Sequence, residues 1–350
     1  STQEYKKLWQ LFGASPLVSY TEKLTGKLNG WTSAKDVILY LCGLLTTKGG
    51  TNRIIEYFGP GASTISATGK GTITNMGAEL GATTSIFPFD DKMAAYLRLT
   101  DRADVAELAE ANHKLLVADP EVTQDAEKFY DKIVDVDLST LEPYVVGPHT
   151  PDLARPISKL SSEVKTKSYP AKLGAALIGS CTNSSFSDLM AVASALRGKT
   201  IHPNVNMVVS PGSKQVLQLI AENGALADMI AAGARILESA CGPCAGMGQI
   251  PSSGAVSVRS FNRNFPGRSG GLDNHVYLAS PIACAAAALS GYISDPRDLD
   301  ISSAPENPER FNINTNGIIP PPKNGQHVQI QRGPNIQPVP VKNPMSQEIV

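Results

Sequence analysis

Three cysteines set among small residues constrain this 350-residue chain more than any other feature. Cys181 lies in a Gly-Ser-Cys-Thr-Asn segment, and Cys241 and Cys244 form a Cys-Gly-Pro-Cys motif 60 residues further along. Small neighbours allow a bulky prosthetic group to approach the backbone closely. Four thiolates would close a cluster or a structural zinc site, whereas three would leave one metal open for Lewis-acid chemistry.

Short apolar runs alternate with helical patterns in the second half of the chain. Residues 175–178 predict a buried strand with Cys181 just beyond its carboxyl end. Residues 205–209 predict a second strand, followed by a helix that ends near residue 222. Alternating strands and helices favour parallel α/β domains, whose ligands bind outside the carboxyl ends of the strands. We therefore predict an α/β fold with parallel-sheet cores.

The first half of the chain shows a similar mixture of patterns. Asn75 and Glu79 lie four residues apart in one predicted helix, so they would share a face of it. The predicted helices cover residues 34–48, 74–81 and 90–117, and the predicted strand covers residues 54–58.

The length of the chain leaves room for two domains with substantial cores. We predict one domain over residues 1–150 and a second, which carries the three cysteines, over residues 151–310. A charged, proline-containing stretch from 135 to 170 would form the crossing between them. Residues 311–350 are rich in proline, asparagine and glycine, and we expect them to form an extended arm or linker.

The composition is that of an ordinary soluble globular protein, with 42% hydrophobic and 18% charged residues. A net charge of -1 argues against a broad nucleic-acid-binding surface, although it leaves a local basic patch open. No apolar run of about 18 residues predicts a transmembrane helix, and the first residues do not resemble a signal peptide. Five cysteines are an odd number, which favours a reducing compartment over a disulfide framework.

The Cys-Gly-Pro-Cys motif by itself fits a redox site, a zinc site or an iron–sulfur cluster. A thioredoxin-type site would not need Cys181, and that family commonly has a tryptophan where Ala240 precedes the motif here. Zinc would take a fourth protein ligand, and none of the five histidines has a suitable spacing. Cys42 and Cys284 lie in apolar helical contexts, so we expect them to be core residues.

Arg263 and Arg268 flank an Asn-Phe-Pro-Gly segment. Its proline and glycine break regular structure, so both guanidinium groups can emerge from one loop. From the residues alone they are either surface arginines or bidentate partners for carboxylates. Glu79 and Asn75 likewise either decorate a helix surface or face a site.

Several segments taken together resemble the aconitase family of hydro-lyases, and they occur in the order that is typical of it. The resemblance covers residues 22–310 approximately and implies two aconitase-type α/β domains. The matching segments are Thr25–Ile38, Asn75–Glu79, Gly179–Asn183, Ala240–Cys244 and Asn262–Arg268.

The resemblance implies a [4Fe-4S] cluster as the cofactor, held by Cys181, Cys241 and Cys244. Three thiolate ligands would leave one iron without a cysteine, and this open iron could act as a Lewis acid. The amides of Asn183 and Asn262 would then donate hydrogen bonds that tune the cluster.

The resemblance also assigns roles around that cluster. Glu79 and Asn75 would be catalytic: the carboxylate handles the water that is lost or added, and the amide helps to hold the cluster environment. Arg263, Arg268 and Asn262 would bind the substrate, because arginines pair with the carboxylates of a di- or tricarboxylic acid.

The activity that the resemblance implies is the reversible dehydration and rehydration of a hydroxy tricarboxylate. Citrate and isocitrate, interconverted through cis-aconitate, are the expected substrates, and homoaconitate and isopropylmalate are the alternatives. A different class of function stays open: a catalytically inactive aconitase-like protein that serves as an interaction, structural or iron- or RNA-responsive module.

The family's first domain and its swivelling fourth domain are not recognisable in this sequence. We therefore expect little activity from the chain alone, and we expect a swivel-domain subunit or a larger assembly as a partner beside the tricarboxylate substrate. No membrane partner is expected, and the net charge argues against a nucleic-acid partner without excluding one. The compartment would be the cytoplasm in a prokaryote or the mitochondrial matrix in a eukaryote. The sequence does not identify a catalytic base.

Overall fold

Two β-sheets form the framework of the protein, whose computed structural model describes residues 18–300 and 307–336. The strands of the first sheet are β1 (Val18–Thr25), β2 (Arg53–Phe58), β3 (Thr84–Ile86) and β4 (Lys132–Asp137). Their spatial order is β3-β2-β1-β4, and every neighbouring pair is parallel.

The second sheet contains seven strands. They are β5 (Tyr144–Val146), β6 (Ala154–Pro156), β7 (Leu173–Gly179), β8 (Asn206–Ser210), β9 (Arg235–Ile236), β10 (Val256–Arg259) and β11 (His275–Leu278). Their spatial order is β6-β5-β11-β10-β7-β8-β9. The five strands from β11 to β9 are parallel, and β5 and β6 continue the sheet as antiparallel strands.

The described residues contain eleven α-helices. They are α1 (Ala34–Leu45), α2 (Ala67–Asn75), α3 (Asp91–Leu99), α4 (Ala103–Ala111), α5 (Pro120–Gln124), α6 (Ala126–Phe129), α7 (Ile157–Thr166), α8 (Phe186–Leu196), α9 (Lys214–Glu222), α10 (Ala225–Ala231) and α11 (Pro281–Ser290). Serine side chains accept a hydrogen bond from a first-turn backbone N–H at the N-termini of α2, α8, α9 and α11. None of the helices described is long and apolar enough to cross a membrane.

The α/β fold with parallel-sheet cores is confirmed. The strands predicted at residues 54–58, 175–178 and 205–209 are β2, β7 and β8, and the helix predicted to end near residue 222 is α9. Several elements escaped prediction, among them β1, β10 and β11. Both β10 and β11 have four residues, which is too short for a clear alternating pattern.

The helix predicted over residues 74–81 is wrong in its extent. The helix α2 begins earlier, at Ala67, and ends at Asn75, and a 3₁₀ helix then covers Met76–Leu80. Gly81 ends this turn with a φ of +76°, which favours glycine. Because a 3₁₀ helix has three residues per turn, Asn75 and Glu79 do not stack four apart as they would in an α-helix.

The single helix predicted over residues 90–117 is also wrong, because α3 and α4 are separated by a break. The hydroxyl of Thr100 donates to the carbonyl oxygen of Tyr96 at 2.7 Å, and Asp101 has a φ of +60°. A threonine that bonds backward in this way competes with the helix, and a left-handed residue cannot continue it. The first helix, predicted to reach residue 48, ends at Leu45 for the same reason, since Thr46 has a φ of +64°.

The chain passes from the first sheet to the second within the predicted crossing of residues 135–170, which also contains β5, β6 and α7. Both sheets belong to one compact unit that extends to Ile313. Residues 314–336 belong to a separate unit, in which every described residue is exposed and one 3₁₀ turn, Gly325–His327, is the only helix. The domain division at residue 150 stays a prediction.

The described residues form two large hydrophobic cores, one mainly on each sheet, and Val146 and Leu278 of the second sheet also contribute to the first core. Val37, Ile38 and Leu41 of α1 pack into the core of the first sheet, and the apolar faces of α8 and α11 fill the core of the second. Cys42 belongs to the first core and Cys284 to the second, so their predicted place in the interior is confirmed. Burial raises the pKa of the Cys42 thiol to about 12, which keeps it protonated.

The core of the first sheet contains one carboxyl group without a hydrogen-bond partner. Glu22 lies on β1, opposite Tyr57 of β2, and is fully buried. Neither of its carboxylate oxygens, nor the Tyr57 hydroxyl, is hydrogen-bonded within the part of the chain described. Burial raises the pKa of Glu22 from 4.5 to about 8, while the positive charge of Lys132 opposes the shift. Glu22 is therefore neutral in the folded protein at pH 7.

We predict that Glu22→Gln reduces the loss of folding stability between pH 5 and pH 8. Over this range the unfolded chain releases the Glu22 proton and the folded chain retains it, so the free energy of unfolding falls as pH rises. The substitution should remove roughly 2–4 kcal/mol of that decline. Urea unfolding at several pH values measures this change in the free energy of unfolding. Glu222→Gln, at an exposed position, is the control for the loss of one acidic group. An unchanged slope would show that Glu22 ionises in the folded state.

Candidate active site

The loop after β7 presents Cys181 at the carboxyl end of a parallel strand, as predicted. Gly179 ends β7 with a φ of +131°, and Ser180 follows with a φ of +75°. A Cβ atom at residue 179 would lie 2.0 Å from the carbonyl oxygen of Ser210, so no larger residue fits there. The chain therefore turns sharply and leaves Cys181 exposed.

Two polar groups approach the sulfur of Cys181. The hydroxyl oxygen of Thr182 lies 3.3 Å from this sulfur, and Asn75 Nδ2 lies 3.9 Å from it. The helix α2, which ends at Asn75, is tied to the same loop by Thr72, whose hydroxyl donates to the carbonyl oxygen of Thr182 at 3.0 Å. Residues more than 100 positions apart thus meet around one thiol.

The cysteine pair lies on a tight turn after β9. A 3₁₀ helix covers Gly242–Ala245, and the Cys244 backbone N–H donates to the carbonyl oxygen of Cys241 at 2.8 Å. Cys241 is exposed and Cys244 is buried. Gly246 ends the turn with a φ of +79°, and a Cβ atom on it would lie 3.4 Å from the Cα of Ser269. The turn therefore packs closely against the loop that carries the arginines.

The side-chain amide of Asn262 connects the segments. Its Nδ2 donates to Asn75 Oδ1 at 2.6 Å and to Thr182 Oγ1 at 2.8 Å. Its Oδ1 accepts a hydrogen bond from Lys35 Nζ at 3.3 Å. The predicted site residues Asn75, Cys181 and Asn262 therefore belong to one hydrogen-bonded network.

Lys35 is a fully buried member of this network that sequence reasoning did not single out. Its Nζ also donates to the carbonyl oxygens of Ser260 at 2.7 Å and Phe261 at 3.2 Å. Burial lowers the pKa of Lys35 to about 8, and the charge of Glu79 is the main opposing influence. A signal was available in the sequence: Lys35 occupies the apolar face of α1, one turn before Ile38.

The two arginines contact two other predicted site residues. Arg263 Nε donates to Glu79 Oε1 at 2.9 Å, and Arg268 Nη2 lies 3.9 Å from Cys244 Sγ. Between them, buried Asn264 anchors the loop by donating to the carbonyl oxygens of Thr150 at 3.0 Å and Val276 at 3.2 Å.

Glu79 is a buried carboxylate whose surroundings shift its pKa in two opposite directions. Burial raises its pKa, and the hydrogen bond and charge of Arg263 oppose that rise. The Glu79 side chain is 5% exposed, whereas that of Arg263 is 47% exposed. The pair therefore joins a buried acid to a cation that solvent or a ligand can reach.

The donor set around the cysteines fits an anionic group. All three thiols are free, and N–H and O–H groups lie near the sulfurs of Cys181 and Cys244. Buried Glu79 Oε2, Arg259 Nε and Arg268 Nε have no hydrogen-bond partner among the residues described. In that part of the chain, however, no three Cys, His, Asp or Glu side chains stand close enough to hold a metal ion. The chemistry of the ligands fits, although the loops do not bring three of them into a coordinating group.

The hydrogen bonds described for the Asn262 network extend to Cys181 but to neither Cys241 nor Cys244, and Cys244 is approached by Arg268 instead. Asn183, expected to donate toward the cluster, donates instead to Thr72 Oγ1 at 3.4 Å. Cys181 and Thr182 also line an open cleft of about 390 Å³. Neither Arg263, Arg268 nor Glu79 lines that cleft, so it does not contain the carboxylate-binding candidates.

We predict that Arg263→Gln raises the pKa of Glu79 further, because the buried carboxylate loses its charged hydrogen-bond partner while its burial is unchanged. The pH dependence of the Glu79 carboxyl carbon signal in NMR measures the change. The matched control is Arg268→Gln, since Arg268 approaches Cys244 rather than Glu79. Equal Glu79 titrations in the parent and in Arg263→Gln would mean that the pair does not form in solution.

Comparison with known proteins identifies the family. The sequence profile of the aconitase family (aconitate hydratase) matches residues 15–291. The mitochondrial aconitate hydratase of Saccharomyces cerevisiae is 46% identical over 278 residues, which are 77% of this chain and 35% of that protein. The mitochondrial aconitate hydratase of Schizosaccharomyces pombe is 47% identical over 277 residues, which are 77% of this chain and 34% of that protein.

A longer alignment joins the chain to the probable mitochondrial aconitate hydratase of Dictyostelium discoideum, with 40% identity over 330 residues. These residues are 88% of this chain and 42% of that relative. The chain thus spans between a third and somewhat over two fifths of the length of the relatives compared. The profile matches well over half of the chain, and it includes the three cysteines and both arginines. The resemblance seen in the sequence is therefore confirmed, and the chain belongs to the aconitase family.

Proposed function

We propose that this chain carries the cluster- and substrate-binding part of an aconitate hydratase-type hydro-lyase. The observation that supports the proposal most directly is the Asn262 amide, which joins Asn75 and Thr182 beside Cys181. Three of the separate segments that resemble the family thereby meet in one place. Relatives at 40–47% identity carry the name aconitate hydratase, which adds support for the reaction.

The proposed cofactor is a [4Fe-4S] cluster held by Cys181, Cys241 and Cys244. Its ligand set would be three thiolates, which match the three free thiols of the two loops. When bound, the cluster would supply Lewis-acid chemistry at the iron that lacks a cysteine ligand. The contribution of the chain is to hold and orient the thiolates, through Thr182 and Asn75 at Cys181 and through Arg268 at Cys244.

The proposed substrate-binding groups are Arg263, Arg268 and Asn262. A guanidinium group is planar and presents a rigid fork of N–H donors, so each arginine can bind a carboxylate through two hydrogen bonds. The buried Nε of Arg268 has no hydrogen-bond partner among the residues described, so it has a donor to offer. Two arginines in one anchored loop suit a ligand with at least two carboxylates.

Glu79 is the proposed acid–base residue. Its carboxylate is nearly buried, and burial raises its pKa, which makes it a stronger base than an exposed carboxylate. Asn75, four residues earlier, keeps its amide directed at Cys181 and Asn262. Dehydration of a hydroxy acid and hydration of the resulting enoate both need such a group for the water that leaves or enters.

Citrate and isocitrate, interconverted through cis-aconitate, are the proposed substrates, and homoaconitate and isopropylmalate are the alternatives. Full activity is proposed for an assembly in which further segments enclose the site, because the relatives are more than twice as long as this chain. A swivel-type domain or subunit is the proposed partner. The names of the relatives support a mitochondrial matrix location if the chain is eukaryotic.

We predict that the anaerobically reconstituted protein is brown and binds about four irons per chain. Cys181→Ala, Cys241→Ala and Cys244→Ala should each lose most of this iron, because each removes a thiolate ligand. Cys42→Ala and Cys284→Ala are matched controls and should retain it, since both thiols are enclosed in hydrophobic cores. A colourless protein that binds one zinc ion per chain would contradict the proposal.

We predict that Arg268→Lys weakens tricarboxylate binding by roughly 1.5–3 kcal/mol, because lysine keeps the charge but loses the forked geometry. Calorimetric titration of the cluster-loaded protein with citrate measures the loss, and the visible spectrum reports whether the cluster is intact. Arg197→Lys, on an exposed pair with Asp228, is the control and should bind as the parent does.

Hydration of cis-aconitate, followed by ultraviolet absorbance, tests the reaction itself. The chain alone should be nearly inactive, and the assembly with the enclosing segments should turn over. An assembly that contains the cluster and binds citrate without turnover would favour the inactive-module function instead.

A further inference from the structure

Arg259, the last residue of β10, is a fully buried cation with no carboxylate partner in the described structure. Its Nη1 donates to Ser269 Oγ at 2.6 Å, and its Nη2 donates to Ser257 Oγ at 3.1 Å. Its Nε has no hydrogen-bond partner among the residues described. Both partners are neutral hydroxyl groups, so the positive charge is hydrogen-bonded but not neutralised.

This arrangement differs from that of another buried arginine in the same sheet. Arg155 of β6 donates from its Nε to Glu163 Oε2 at 2.9 Å, and the carboxylate neutralises its charge. A buried charge is costly unless an opposite charge accompanies it. A nearby anion would therefore stabilise the charge of Arg259, and no carboxylate in the described part of the chain supplies one.

The position of Arg259 indicates where that anion lies. Arg259 pairs with Leu177 of β7, so both side chains extend from the same face of the second sheet. On this face Leu177 packs in one cluster with Cys244 and Phe261. Arg259 therefore lies on the side of the sheet that carries the cysteine turn.

Two further contacts connect Arg259 to the cysteine turn. Ser269, which accepts from Arg259, packs against Gly246 just after Cys244. The residue before it, Arg268, approaches Cys244 Sγ at 3.9 Å. Burial lowers the pKa of Arg259 to about 10, and its electrostatic interaction with Cys244 is the strongest opposing influence.

We propose that Arg259 is a buried counter-charge for the anionic group that the three cysteines hold, and that it raises the reduction potential of that group. The inference rests on the proposed iron–sulfur cluster. Three thiolates give such a cluster a net negative charge, and one-electron reduction adds one further negative charge. A fixed positive charge in a low-dielectric interior stabilises the reduced form more than the oxidised form, so it raises the potential.

The test compares Arg259→Met and Arg259→Gln, which remove the charge, with Arg259→Lys, which keeps it. Arg155→Met is the matched control, because it removes a buried arginine that already has a carboxylate partner. The 350-residue chain is loaded with cluster, and its reduction potential is measured by titration followed by electron paramagnetic resonance. Urea midpoints are measured for each variant with and without the cluster.

Both neutral variants should shift the ratio of reduced to oxidised cluster at a fixed potential about tenfold toward oxidised, which is about 59 mV for one electron. Arg259→Lys and Arg155→Met should leave the potential near that of the parent. Without the cluster, Arg259→Met should have a urea midpoint equal to or above the parent's, because it removes a charge that has no anion. With the cluster, its midpoint should be lower than the parent's.

Three results would overturn the inference. The first is an unchanged reduction potential in both neutral variants. The second is an equal loss of folding stability in these variants with and without the cluster, which would show that Arg259 only holds Ser257 and Ser269 in place. The third is failure of both neutral variants to fold as apoprotein, since the charge would then be needed in the absence of its anion. A parent protein that takes up no iron would instead overturn the proposed function.

Discussion

The side-chain amide of Asn262 is the interaction on which the site depends. It joins the end of α2, the loop after β7 and the buried Lys35 of α1, which are distant from one another in the sequence. Because its oxygen accepts from Lys35, its nitrogen is directed at Asn75 and Thr182. Exchange of the amide for a carboxylate or an apolar group would leave several buried polar groups without partners at once.

The charge of the site follows from the same arrangement. Four cations, Lys35, Arg259, Arg263 and Arg268, lie around the cysteines, and Glu79 is the carboxylate that pairs directly with one of them. Asp36, which also interacts with the charge of Lys35, accepts hydrogen bonds from Ser33 and Tyr144 instead. The buried positive charges of Lys35 and Arg259 are unfavourable for folding alone, and they suit the anionic cluster and substrate that we propose for the site.

Sequence patterns predicted the fold best where the signal was local. The apolar runs identified β7 and β8, and therefore the strand end that carries Cys181. They failed where one side chain redirects the backbone, as Thr100 does between α3 and α4. The motifs located the segments of the site, but not its contacts. Glu79 and Arg263 are 184 positions apart, and Lys35 and Asn262 are 227 apart, so only the tertiary fold reveals that they meet.

The pair between Glu79 and Arg263 has a consequence for ligand entry. In the described structure Glu79 accepts from the Nε of Arg263 only, and the Arg263 side chain is about half exposed, so its Nη groups are open to a ligand. Under the proposed function, a carboxylate that binds Arg263 would share the guanidinium with Glu79 or displace it, so its affinity would depend on this internal ion pair as well as on its own charge. A ligand that weakened the pair would reduce the influence of Arg263 that opposes the rise in the pKa of Glu79, so the buried acid would bind a proton more readily. Under the proposed function, ligand binding would therefore be coupled to the proton concentration of the solution.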